Sequence, residues 1–389
     1  MQTFAINYMK ILPKNYQLKI TAHRSFLHFL LFVNHRFAVT NKGLFFMYTP
    51  GYIELLNSGE FDKRIDAAEK ILISCTCCPR ECKINRLDGE IGICNSSALP
   101  IVSSYSKHFG EEPVISGING AGNIFFGNCN LKCIYCQNHL ISQNHNSEQE
   151  HEISIERLAE IMIELQNQNC HNIGLVSPTH FTVPILKAIK LAAENGLCLP
   201  IIFNSNGYDS VELLKFLEGI IDIYLPDFKY GNNEQGIQFS EVNNYFDKTK
   251  LALLEMFRQM GSNLIIENDI VVRGLIIRHL ILPYGLSESE SVFEFIANKL
   301  SENVHISLMA QYYPANNANS FEQLNRSISV EEYKHALDLL EKFSLDNGWI
   351  QDLESNYCYR PYFEVDRTNP FKTECIFKES GIKNPASLV

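Results

Sequence analysis

From residue 123 onward the sequence predicts an α/β fold on a parallel sheet, closed or partly closed. Six short apolar runs, at 123–127, 173–177, 200–204, 220–226, 275–282 and 304–310, read as strands. Amphipathic helical stretches separate them, and that alternation is the pattern of parallel βαβ units. Polar residues gather just past four of the runs: Ser177-Pro-Thr-His180, Asn204-Ser-Asn-Gly207, Asp227-Phe-Lys229 and Gln311-Tyr-Tyr-Pro314. In such sheets ligands bind where the strands' C-terminal ends meet their loops, so one end of the sheet should carry one site.

The N-terminal part is different in kind. Residues 1–46 carry six Lys or Arg and no Asp or Glu, a balance shared with targeting segments. The apolar stretch Phe26–Val33 within them is too short to span a bilayer. Domain-like patterning begins just after Met47, which reads as an alternative start and leaves 1–46 as a basic extension. Residues 47–115 form the next unit. A helical lead-in at 50–73, interrupted at Gly59, runs into Cys75-Thr-Cys-Cys78-Pro-Arg-Glu-Cys82 and then Cys94. Cys75, Cys78, Cys82 and Cys94 have the C-x2-C-x3-C-x11-C spacing of a four-thiolate metal site, zinc or iron–sulfur, with glycines that let the loop fold back. Cys77, a fifth thiol in the same run, leaves the ligand set open.

Past the first strand lies Gly127-Asn-Cys129-Asn-Leu-Lys-Cys133-Ile-Tyr-Cys136, spaced C-x3-C-x2-C. On a tight loop these three sulfurs can face one point, and thiolates bind soft metals and iron–sulfur clusters. With His139 as a fourth ligand the same residues would make a tetrahedral zinc site. Helix starts are legible at Asp209-Ser-Val-Glu212, Ser287-Glu-Ser-Glu290 and Ser329-Val-Glu-Glu332, each a capping box or close to one. A further helix spans 154–168. Residues 116–350 form the sheet-bearing unit, and 351–389 a polar tail with scattered aromatics, read as a packing strap. Cys170, Cys198, Cys358 and Cys375 stand alone and read as small packed or incidental thiols.

Composition narrows the function classes. The chain of 389 residues is 46% hydrophobic, enough for a large core. Twelve cysteines in a chain this long, clustered as they are, point to metal chemistry in a reducing compartment rather than a disulfide framework. A net charge of −11 argues against a broad nucleic-acid surface. No stretch reads as transmembrane, so the expected location is the cytoplasm.

The motif Cys129, Cys133, Tyr135, Cys136 matches C-x3-C-x-aromatic-C, and on it the chain resembles the radical S-adenosylmethionine superfamily. Further landmarks are similar to a branch related to pyruvate formate-lyase activating enzyme: Cys78-Pro-Arg-Glu-Cys82, Gly110-Glu-Glu-Pro113, Tyr224-Leu-Pro-Asp-Phe-Lys229, Arg278-His-Leu-Ile-Leu-Pro283 and Leu308-Met-Ala-Gln-Tyr312. The resemblance implies a partial (β/α)6 barrel and a [4Fe-4S] cluster on Cys129, Cys133 and Cys136, with one iron left for S-adenosylmethionine. It also implies reductive cleavage of that cofactor to a 5′-deoxyadenosyl radical, which abstracts hydrogen from a protein or small-molecule substrate. A one-electron donor such as flavodoxin or ferredoxin would be needed. By the same resemblance Tyr135, Asn204, Asn206 and Arg278 lie near the cofactor, and Asp227 and Lys229 face the substrate. Ser177 and Thr179 stand where many relatives carry Gly-Gly-Glu, and Asn204 replaces the Asp of an Asp-Thr-Asn-Gly pattern. Both departures weigh against a simple transfer of the glycyl-radical role. The competing reading is a non-catalytic zinc-binding interaction protein that uses Cys129, Cys133, Cys136 and His139 together with Cys75, Cys78, Cys82 and Cys94.

Overall fold

The computed structural model describes residues 9–11, 35–40, 43–357 and 360–371. Most of the basic extension, including Phe26–Val33, lies outside the described residues, as do Cys358, Cys375 and the end of the tail.

The predicted parallel sheet is present. Its strands are β1 (Val102–His108), β2 (Ala121–Phe126), β3 (Ile173–Val176), β4 (Ile201–Asn204), β5 (Ile223–Tyr224), β6 (Ile270–Leu280), β7 (His305–Met309) and β8 (Gly348–Gln351). They lie side by side in chain order as an open path. Every neighbouring pair from β2 to β8 is parallel, while β1 runs antiparallel to β2 at the edge. Residues of β2 are buried on both faces, as the inner strand of an α/β sheet requires. The six expected strands are all found. The seventh parallel strand, β8, crosses the boundary drawn at residue 350; Trp349, expected to precede a tail, is buried within it. Strand β5 is the shortest of these; pairing lapses at Leu225 and Pro226 and resumes as a single parallel bridge between Asp227 and Arg278.

The helical lead-in resolves into α1 (Gly51–Ser58) and α2 (Glu60–Ile73), divided at Gly59, whose φ of 70° is left-handed. Helix α3 (Ile155–Asn167) starts on Ser154, and α4 (Thr182–Glu194) and α5 (Val211–Phe216) follow. Of the three expected capping boxes, one forms as read: Ser329 and Glu332 cap Val330–Lys342 reciprocally. The other two are corrected. Ser210, not Asp209, caps α5, because Asp209 turns inward to accept from Thr179 and Ser205. Ser287 accepts from Leu282 N instead of capping the helix that begins at Ser289.

One buried carboxylate ties the lead-in to the sheet. Asp222, 1% exposed, accepts from the Tyr48 hydroxyl at 2.5 Å, Gly51 N at 3.2 Å and Ile201 N at 2.8 Å. Burial pushes its pKa up to about 6, against the pull of those donors. Asp222→Ala leaves the three donors without their acceptor, and should cost on the order of 3 kcal/mol in chemical denaturation. A loss below about 0.5 kcal/mol would show that the lead-in is held by packing alone.

Candidate active site

The C-terminal ends of the parallel strands converge on a cavity of about 220 Å³. Its lining includes Cys129, Cys133, Tyr135 and Cys136 past β2, Ser177 past β3, and Asn204 and Asn206 at β4. Asp227 and Lys229 past β5, Arg278 on β6 and Gln311 past β7 complete the ring. Ten of the expected site residues therefore share one space. Thr179 is not in the lining: it is 1% exposed and donates its hydroxyl to Asp209 at 2.7 Å. Cys75, Cys78, Cys82 and Cys94 also lie outside the cavity wall.

The cysteine loop is held by its backbone. Asn128, at φ 61°, takes the left-handed turn that starts it and donates its N–H to Ile141 O at 2.8 Å. Lys132 N and Ile134 N donate to Ser240 O and Phe239 O, so the loop is docked along the end of the helix Asn233–Ser240. His180 Nε2 bonds Gly127 O at 2.9 Å, and burial lowers the His180 pKa to about 3, which keeps the imidazole neutral. The opposite wall is equally constrained. Gly207 has φ +78°, and a Cβ there would stand 2.2 Å from Asp227 O, so only glycine lets β4 and the Asp227 segment approach so closely.

Each sulfur has a polar neighbour. Cys129 Sγ accepts from Leu131 N and from Asn206 Nδ2, both at 3.4 Å. Ser240 Oγ stands 3.0 Å from Cys133 Sγ, and Ser142 Oγ 3.3 Å from Cys136 Sγ. A relay of hydroxyls continues from Ser240 to Tyr230 and Tyr135, each step 2.7 Å. Tyr135 thus reaches the sulfur environment through Tyr230 and Ser240. Burial raises the pKa of all three thiols, that of Cys133 to about 12, so metal binding has to supply the driving force for deprotonation. Lys229 opposes that rise at each sulfur. Burial disfavours its own charge, but Asp227, 2.5 Å away, more than offsets this, and Lys229 stays a cation.

Arg278 lines the cavity and is paired there with two carboxylates. Glu112 takes it in a bidentate pair at 2.8 and 2.7 Å, and Glu111 accepts a further bond from it. Asn123 on β2 donates to Glu111 at 2.7 Å and fixes that carboxylate. The guanidinium borders the cavity, but most of its hydrogen-bonding capacity is already used. Glu111 and Glu112 were only landmarks in the sequence, although a doubled acid before Pro113 was the visible signal for them.

His139 does not join the sulfurs at the cavity wall; its Nδ1 is 3.1 Å from Cys136 O. Among the described residues, no three His, Cys, Asp or Glu side chains stand together as the shell of one metal ion. A cubane places each thiolate on a different iron and sets its ligands wider than a single ion does. The buried thiols of Cys129 and Cys133, the half-buried one of Cys136, their polar neighbours and the polar cavity beside them fit such a cluster with a small polar cofactor against it.

Comparison with known proteins agrees with this geometry. Residues 123–278 match the model of the Radical SAM superfamily. An uncharacterized protein of Methanocaldococcus jannaschii, MJ0674, is 34% identical over 301 residues, covering 76% of this chain and 82% of that protein. The chain belongs to the radical SAM superfamily, and its cofactors are a [4Fe-4S] cluster and S-adenosylmethionine. Among solved structures, HydG, a maturase of the [FeFe]-hydrogenase, aligns at a TM-score of 0.40 and 14% identity over 57% of this chain, which spans about half (49%) of HydG. TYW1 with a lysine-pyruvate adduct aligns at 0.34 and 11% identity, covering 57% of this chain and 73% of that one. No helix among the described residues is long and apolar enough to cross a membrane.

Glu111 offers a test of the wall. Burial alone would raise its pKa, but Arg278 outweighs burial and holds it at about 2, below an ordinary glutamate. A depressed carboxylate contributes stability that is present above its unfolded pKa and lost as pH falls toward the folded one. Glu111→Gln should therefore cost on the order of 2 kcal/mol at neutral pH. The gap to the parent protein should close between pH about 4.5 and about 2 in denaturation curves. A gap that stays constant down to pH about 2 would mean that the Arg278 pairing is not its source.

Proposed function

We propose that Cys129, Cys133 and Cys136 hold the [4Fe-4S] cluster, and that S-adenosylmethionine occupies the adjoining cavity. The observation that carries this reading is the meeting of three thiols, two buried and one half-buried, each with its own polar neighbour, in a single polar cavity at the strand ends. When bound, the two groups supply one-electron cleavage of the sulfonium C–S bond, giving methionine and a 5′-deoxyadenosyl radical that takes hydrogen from a substrate.

The chain's own residues serve that chemistry in distinct ways. Asn206, Ser240 and Ser142 place hydrogen bonds on the sulfurs and so tune the potential. Lys229, kept charged by Asp227, offsets the negative charge of the thiolate set and, with Asp227, faces the substrate side. Ser177 and Asn204 present polar groups for the cofactor's amino acid end. Arg278, steadied by Glu111 and Glu112, gives the cavity a rigid charged wall. Enclosure by the tail, where Phe363 packs on Phe125 and Phe371 lies against His108, limits the water that reaches the site.

The substrate is a protein, as in activation of a glycyl-radical enzyme, or a small molecule, and the electron comes from a flavodoxin or ferredoxin in the cytoplasm. Likeness to the activating-enzyme landmarks supports the first. Asn204 and the absence of Gly-Gly-Glu at 177–179 support a substrate outside that class.

Anaerobically purified, reduced protein should form 5′-deoxyadenosine from S-adenosylmethionine, and Cys133→Ala should lower that rate at least about 100-fold. A colourless parent protein with stoichiometric zinc and no cleavage would favour the zinc-binding alternative instead.

A further inference from the structure

Beside the cavity, five thiols collect in one short segment. Cys75, Cys77 and Cys94 are buried, and Cys78 and Cys82 half-buried. The backbone folds this run back on itself. Cys75 N donates to Ile84 O at 2.9 Å, Lys83 N returns a bond to Cys75 O at 3.1 Å, and Glu81 N donates to Cys78 O at 3.0 Å. Glu81 and Lys83 sit at φ 43° and 59°, left-handed conformations that a non-glycine residue adopts only where the surroundings enforce it. The second arm approaches from Gly92, where a Cβ would lie 2.9 Å from Cys82 Sγ. Asn95 N closes a turn onto Gly92 O at 2.9 Å and places Cys94 in it.

Arg86 supplies an independent observation. Its side chain is 1% exposed and bonds only neutral groups: Ser97 O, His180 O and, at 3.8 Å, Cys77 Sγ. Among the described residues no carboxylate pairs with it. A buried guanidinium without a counter-charge is costly, and the groups around it that can carry negative charge are the thiols Cys77, Cys94 and Cys75.

We propose that Cys75, Cys78, Cys82 and Cys94 bind a second centre, a soft metal held by four thiolates, with Arg86 as its buried counter-cation. A tetrathiolate centre, whether zinc or iron–sulfur, is anionic and satisfies Arg86. These thiols, like Cys129, Cys133 and Cys136, are not gathered as the shell of one ion. Binding would draw the four together, as it would the three thiols of the first site in the reading given above, on which this comparison rests.

The centre would also brace the first site. Arg80 Nε donates to Asn130 O at 2.6 Å, next to Cys129. Asn128 Nδ2 donates to Asn95 O at 2.9 Å, next to Cys94. Arg86 Nη1 donates to His180 O at 2.5 Å, and His180 in turn bonds Gly127 O. A metal that fixes residues 75–94 therefore fixes the turn that carries Cys129.

Iron, sulfide and zinc are to be counted in three full-length proteins purified anaerobically: the parent, C129A/C133A/C136A and C78A/C82A. The triple variant should keep about one zinc per chain, or about four irons with matching sulfide; either supports the centre and identifies its metal. C78A/C82A should lose that same complement and keep the rest. A triple variant with neither zinc nor iron beside a parent holding about four irons overturns the proposal, as does C78A/C82A with the parent's full content. Should the triple variant not fold, the parent against C78A/C82A decides alone. Failure of the first-site reading would look different, as iron undiminished in a folded triple variant.

Discussion

Three cysteine thiols drawn largely out of water beside one polar cavity set the demand that the surrounding residues meet. Burial pushes the Cys129, Cys133 and Cys136 thiols up, the cost of concentrating negative charge in a low-dielectric space. The surroundings work against that cost at short range. Leu131 N, Asn206, Ser240 and Ser142 stand at the sulfurs, and Lys229 adds a cation held by Asp227. Among these groups only Leu131 and Ser142 lie within six residues of the cysteine they meet. The sheet brings them together, because parallel strands in chain order deliver every loop to the same end.

The same constraint explains the polar wall opposite. Arg278, Glu111 and Glu112 form a nearly closed set of charges, with Asn123 bonded to Glu111. Such a set keeps its geometry when solvent leaves, which a lone arginine would not. Asp209 solves a smaller version of the problem. It is buried, its pKa is pushed up to about 6, and the hydroxyls of Thr179 and Ser205 stabilise its charge. That network shapes the β3 and β4 loops from Asp209 and Thr179 behind the cavity, with Ser205 carrying it to the cavity wall.

What was legible in the sequence follows from how local each feature is. Strands appeared as apolar runs, and the cysteine loop as a spacing, because both are written in consecutive residues. Ser329 capped its helix as read, since nothing else competes for its hydroxyl. Asp209 and Ser287 did not cap because other groups hold them: the hydroxyls of Thr179 and Ser205 for the first, Leu282 N for the second. Strand β8 was missed because Gly348-Trp-Ile-Gln351 is too short to show a period. The carboxylates facing Arg278 come from 166 and 167 residues away, a pairing that periodicity cannot register.

A cluster held as proposed at Cys129, Cys133 and Cys136 keeps one iron free of protein ligands, and that iron takes S-adenosylmethionine. Electron paramagnetic resonance of the dithionite-reduced protein, with and without S-adenosylmethionine, tests this most directly. To isolate the first cluster, the measurement is made on C78A/C82A as well as on the parent. The account predicts that the cofactor shifts the g-values of the reduced cluster signal in both proteins. A reduced-cluster spectrum that S-adenosylmethionine leaves unchanged in both would contradict it.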